Sequence, residues 1–206
     1  MLRPSALERT VDCVVLRASK TGVAVGSIVG WAMLLDRAAA AQTDPQVAEF
    51  LTSINRRITE LAGQTGSQAS LTCGRIVASA INMGAVTESA LGPVWDRMTS
   101  QQRAAYRVAA QRWAVRDCVR RNQDIGGNPL EFLGVRQGVA GERLLATRSS
   151  QPAHTVIWRL RGSGRVRAVD VVIDGRSMIL SLRDDMKALL DHNNGDIDMA
   201  IGALGR

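Results

Sequence analysis

At Gly126-Gly127-Asn128-Pro129 the hydrophobic period of this 206-residue chain changes. Two glycines, an asparagine and a proline in succession stop a helix firmly. Before them, apolar residues recur every three to four positions. After them, up to about residue 174, they alternate with polar ones. From Ser177 the helical period returns. Helices, then a run of strands, then helices again predict an α+β chain, with helices packed on one face of a small antiparallel sheet. Such a sheet and its helices can enclose an apolar pocket.

The helical half begins at Thr43 or Asp44, either of which can cap a helix that has Pro45 in its first turn. Val47, Phe50, Leu51, Ile54, Ile58 and Leu61 form its apolar stripe. The pattern predicts a second helix over Ser70–Asn82 and a short third one after Thr87, carrying Leu91, Val94 and Trp95. Thr99-Ser100-Gln101-Gln102 is a capping box. It opens a long helix to about Arg121, with Tyr106, Ala109, Ala110, Trp113 and Val115 among its less polar positions. Four strands are predicted, near 131–138, 142–149, 153–161 and 164–174, with Gly162-Ser163-Gly164 as a hairpin turn. The last helices start at Ser177, with Met178, Ile179, Leu182 and Met186 in the stripe, and after Gly195-Asp196.

Residues Thr21–Leu35 carry no charge, follow Arg17 and Lys20, and precede Ala38-Ala39-Ala40-Ala41. A basic region, a short apolar run and a small-residue site make an export signal, too short to span a membrane well. The expected division is 1–41 signal peptide and 42–206 one mature domain. Removal of the signal takes Cys13 with it. Cys73 and Cys118 remain in an oxidising compartment, where they either pair or stay as two buried thiols.

The net charge of +7, nearly all of it arginine, invites a nucleic-acid reading. Aromatic residues make up only 3% of the chain, which leaves few platforms for stacking bases. No helix-turn-helix, zinc or RNA-binding pattern occurs, and export argues against a nucleic-acid partner. The arginines therefore predict either a solvated helix face or attraction to anionic headgroups or acidic docking partners. His154 and His192 have no nucleophile motif beside them, and Cys73 and Cys118 lack metal-ligand neighbours. Neither catalysis nor a metal nor a cofactor is expected. Asp170, flanked by valines, needs a partner such as an arginine if it is buried.

Two stretches resemble a known family. Ala90-Leu91-Gly92-Pro93-Val94-Trp95, followed by Met98-Thr99-Ser100-Gln101-Gln102-Arg103, is similar to an A-L-G-x-x-W segment and the helix start that follows it. Ala168-Val169-Asp170-Val171-Val172-Ile173-Asp174-Gly175-Arg176-Ser177-Met178-Ile179 is similar to a Y-D-(three apolar or small)-E-G-x-S-M-I segment, with Val169 and Asp174 in place of the Tyr and Glu. Both belong to the MlaC family of periplasmic phospholipid-binding proteins, also called toluene-tolerance proteins. The resemblance implies a non-enzymatic carrier that holds a phospholipid in a deep apolar pocket. It implies partners at two membranes, an outer-membrane lipoprotein complex and an inner-membrane ABC transporter complex. A hopanoid-associated branch and, from another class, a small exported enzyme on a similar scaffold are the alternatives.

Buried methylenes contribute about 0.8 kcal/mol each, so acyl chains supply their own driving force for entry. The expected lipid contacts are Phe50, Leu51, Ile54, Val77, Ile81, Leu91, Trp95, Tyr106, Trp113, Val156, Trp158, Val169, Val171, Met178, Ile179 and Leu182. Periodicity marks these positions as buried. Whether a lipid or plain core lies against each of them is left to the structure.

Overall fold

The computed structural model describes residues 44–125 and 127–206. The expected signal segment lies outside the described residues. Helix α1 (Pro45–Leu61) is capped by Asp44, whose side chain accepts from the Gln46 N–H at 2.9 Å, and it buries Val47, Phe50, Ile54 and Leu61. Helices α2 (Gly66–Ala80) and α3 (Met83–Leu91) both start about one turn before the predicted positions. The cause is the same in each. Ser70 and Thr87, which mark the predicted starts, lie inside the helices, and their hydroxyls donate backward to Gly66 O at 3.0 Å and Met83 O at 2.7 Å. The cap of α3 is Asn82, which accepts from the Ala85 N–H.

Gly92, at φ 51°, and Pro93 then separate a short α4 (Pro93–Arg97), so the predicted third helix is two. The capping box at Thr99 is formed in both directions: Gln102 N–H donates to Thr99 Oγ1 and Thr99 N–H donates to Gln102 Oε1, each at 3.1 Å. It opens α5 (Ser100–Ile125), four residues longer than predicted. Gly127 sits at φ 70°, and a Cβ there would come within 2.6 Å of Ala62. Only glycine fits this crossing of the chain beneath the end of α1.

The strands are β1 (Glu131–Gln137), β2 (Arg143–Ser150), β3 (Ala153–Arg161), β4 (Arg167–Ile173) and β5 (Arg176–Ser177), in sequential antiparallel order. There are five strands rather than the four expected. Asp174-Gly175, both at positive φ, makes a two-residue turn that lets Arg176 and Ser177 pair back on Ile173 and Val172. A two-residue strand is too short to show an alternation in the sequence. Helices α6 (Met178–His192) and α7 (Ile197–Leu204) close the chain, capped by Ser177 and Asp196.

Side chains alternate across the sheet. Leu145, Val156, Trp158 and Leu160 are buried on the helix side, while Arg159 and Arg161 project from the other. A bulge opposite Arg159 and Leu160 leaves Val169 as the extra residue of β4. The register then places Asp170 across from Arg159.

Candidate functional site

Between α1, α2 and α5 on one side and the sheet on the other lies an apolar cavity. Helix α1 contributes Ile54, Ile58 and Leu61, α2 contributes Ile76 and Val77, and Ile81 follows. Val156, Trp158, Val171 and Ile173 form the sheet wall, and Leu130 and Met178 close the ends. Its volume is about 110 Å³, and about 780 Å³ of atom-free space when the open mouth is counted. That volume is smaller than the ~150 Å³ apolar cavity that holds a benzene ring. Acyl chains longer than that need the walls to part.

Helix α5 supplies the polar side. Ala114, Asp117, Cys118 and Arg121 recur at three- and four-residue spacing and line the cavity together with Asn122. Asp117 is buried and neutralised by its own helix, with Arg120 at 2.5 Å and Arg121 Nε at 2.6 Å. A guanidinium held by a buried carboxylate at the rim of an apolar space suits an amphiphile with an anionic head.

Two fastenings set α1 against the sheet. Arg143 bonds Asp44 and Gln46 at the helix start. Asn55 then exchanges both of its amide bonds with the Leu130 backbone, at 2.9 and 2.8 Å. The Phe50 ring meets Trp158 edge-on, with centroids 5.4 Å apart. The Trp158 indole N–H is satisfied by Thr147 Oγ1 at 3.1 Å, so this large ring can stand in an apolar wall without an orphan donor.

Cys73 and Cys118 are bonded, which joins α2 to α5 along this wall. The spacing of the two cysteines in the sequence is compatible with pairing and with two free thiols alike, and the packing of α2 on α5 decides between them.

Of the sixteen predicted contact residues, the cavity brings together Ile54, Val77, Ile81, Val156, Trp158, Val171 and Met178. The others sit elsewhere. Phe50 packs behind Trp158, and Leu51 packs on the core from the flank of α1. Leu91 and Leu182 are core residues of α3 and α6. Trp95 and Tyr106 pack together beneath Arg103 and Arg107, whose guanidiniums lie 5.2 and 5.0 Å from the Trp95 ring. Tyr106 is fully buried, and desolvation pushes its phenol well above the ordinary range. Trp113 donates to Asp185 at 2.7 Å in a cleft between α5, α6 and α7. Val169 and Ile179 line a cleft on the far face of the sheet.

Sequence reasoning passes over Ile58 and Leu61 as site residues although they continue the stripe of Ile54. It passes over Ala114, Asp117, Cys118 and Arg121 because their faces are polar or small. Among the described residues, no group of His, Cys, Asp and Glu is placed to hold a metal ion.

The sequence model of the family described as MlaC protein matches residues 46–206. Among solved structures, one of a phospholipid-binding protein from Ralstonia solanacearum in complex with a phospholipid is similar to this fold. It has a TM-score of 0.60 and 11% identity, over 79% of this chain and 98% of that one. No curated protein sequence matches the chain.

Proposed function

We propose that this chain, which belongs to the MlaC family, is a periplasmic carrier that binds a phospholipid non-covalently and passes it between membrane complexes. The observation that carries the proposal is the apolar cavity between the helices and the sheet, with the Asp117–Arg121 pair at its rim. The acyl chains enter among Ile54, Val77, Val156 and Val171, and the headgroup stays beside Arg121. Seating them parts α1 from the sheet, which it meets through side-chain contacts at Asp44, Phe50 and Asn55. In this proposal the cavity binds the lipid without reacting with it.

Residues 1–41 act as the export signal and 42–206 as the lipid-binding domain. The disulfide supports an oxidising compartment. The outer-membrane lipoprotein complex and the inner-membrane ABC transporter complex are the proposed donor and acceptor, on the strength of family membership. The test is uptake of radiolabelled phospholipid from vesicles, followed by separation of the protein by size. Label that travels with the protein, recovered as intact phospholipid, supports the carrier. Label that stays with the vesicles overturns it, and label recovered as hydrolysed product points to an enzyme.

A further inference from the structure

The face of the sheet opposite the cavity carries a different chemistry. A cleft of about 440 Å³ lies there, bounded by β3, β4, α3 and the first turn of α6. Two carboxylates form its floor. Glu142 is 1% exposed and receives Arg159 through Nε and Nη2 at 3.1 Å and Arg161 at 2.5 Å. Asp170 is 2% exposed and accepts from Ser177 Oγ at 2.8 Å and from the backbone N–H groups of Val171 and Ile179. Arg159 reaches Asp170 as well, at 3.6 Å. On the opposite wall Arg183 donates to the carbonyls of Ser89 and Ala90 at the end of α3.

Burying two carboxylates is an expensive way to stabilise a sheet, because desolvation consumes most of what the ion pairs return. What the arrangement does achieve is order. Arg159 and Arg161 stand side by side over one carboxylate, with side chains 35% and 49% exposed. Arg183 faces them across the cleft. Three guanidiniums above two carboxylates leave one positive charge uncompensated. Their remaining N–H groups are already oriented, so a ligand that uses them loses little further side-chain entropy. Leu180, half exposed at the rim, adds an apolar edge.

We infer that this cleft is a docking surface for an acidic segment of a partner protein. Carboxylates of that segment would be received by Arg161 and Arg183, with Leu180 packing beside them. A protein segment fits better than a bilayer, because the charged groups sit in a recess with a carboxylate floor rather than on a projecting apolar face. The surface and the lipid cavity lie on opposite faces of the same strands, so a partner can hold the carrier without plugging it. The inference does not depend on the lipid-binding reading.

The test is fluorescence anisotropy with a labelled oligoglutamate peptide at low salt. It uses the purified protein, the Arg161→Gln/Arg183→Gln variant and an Arg56→Gln/Arg112→Gln control that removes the same charge from exposed helix positions. Peptide binding is expected to weaken about tenfold in the first variant and to persist in the control. The single variant Arg183→Gln leaves both Glu142 pairs intact but gives up the bonds to the Ser89 and Ala90 carbonyls; it is expected to show part of the loss in binding with a small fall in melting, the protein staying folded at the assay temperature. Equal weakening in variant and control, or no peptide binding by the parent protein, overturns the inference. So does capture of phosphatidylglycerol vesicles through Arg161 and Arg183 that displaces the peptide, since the surface would then take a lipid bilayer.

Discussion

Cys118 forms part of the cavity wall and is bonded to Cys73, with the two Cα atoms 5.8 Å apart. The covalent link fixes α5 to α2 at the position where the apolar lining meets the polar rim. Its loop spans 45 residues of sequence, and closing a loop of that length is worth about 4 kcal/mol in the chain-entropy account. The Cys73→Ala/Cys118→Ala variant is expected to melt well below the parent in a calorimetric scan and to retain less phospholipid. An unchanged melting temperature would show that the disulfide contributes nothing to stability.

Val171 stands in the sheet wall opposite the helices. Val171→Trp places an indole in a cavity of about 110 Å³. Overpacking costs roughly 1–3 kcal/mol, which leaves the fold intact. The expected result is loss of lipid uptake with retained circular dichroism. A normal uptake would show that the acyl chains lie elsewhere.

Much of this architecture is legible in the sequence, and the reasons differ by element. The stripe Val47–Leu61 and the capping box at Thr99 are local signals, and both appear as read. Strand β5 is not legible, because two residues carry no period and only the turn at Asp174-Gly175 marks it. Residues 1–41, read as an export signal, lie outside the described part. Burial of Trp95, Tyr106 and Trp113 is legible, but their distance from the cavity is not. Periodicity gives the buried face of α5, whereas the cavity meets that helix along Ala114, Asp117, Cys118 and Arg121. Which buried side chain faces space and which faces another side chain is decided by long-range packing.

The reciprocal Thr99–Gln102 cap is exposed and remote from the cavity lining. Thr99→Ala removes a cap worth ~1 kcal/mol. Chemical denaturation should show that loss, with lipid uptake at the parent level. A drop in uptake would mean that the start of α5 takes part in binding.

Asp174 bonds His154 Nδ1 at 2.5 Å and accepts from the Thr155 N–H. The His154 contact, followed by the Thr155 bond, holds its carboxyl below the usual carboxylate range. A depressed carboxylate stabilises the fold above its unfolded value of about 3.9 and loses that contribution as pH falls through the folded value. Asp174→Asn tolerates the positive φ of this turn. It is expected to melt slightly below the parent at neutral pH, the two melting temperatures converging in acid below about pH 4. A gap that persists there would assign the effect to the backbone turn instead.

A phospholipid held in the space between α1, α2, α5 and the sheet would survive gentle transfer of the protein into the gas phase. Native mass spectrometry of the protein recovered from the periplasm of an expressing cell therefore measures lipid binding directly. The expected spectrum contains a bound species of phospholipid mass that is released intact on denaturation and is absent from Val171→Trp. A parent protein that carries no lipid from the cell and takes none up from vesicles would contradict the carrier function.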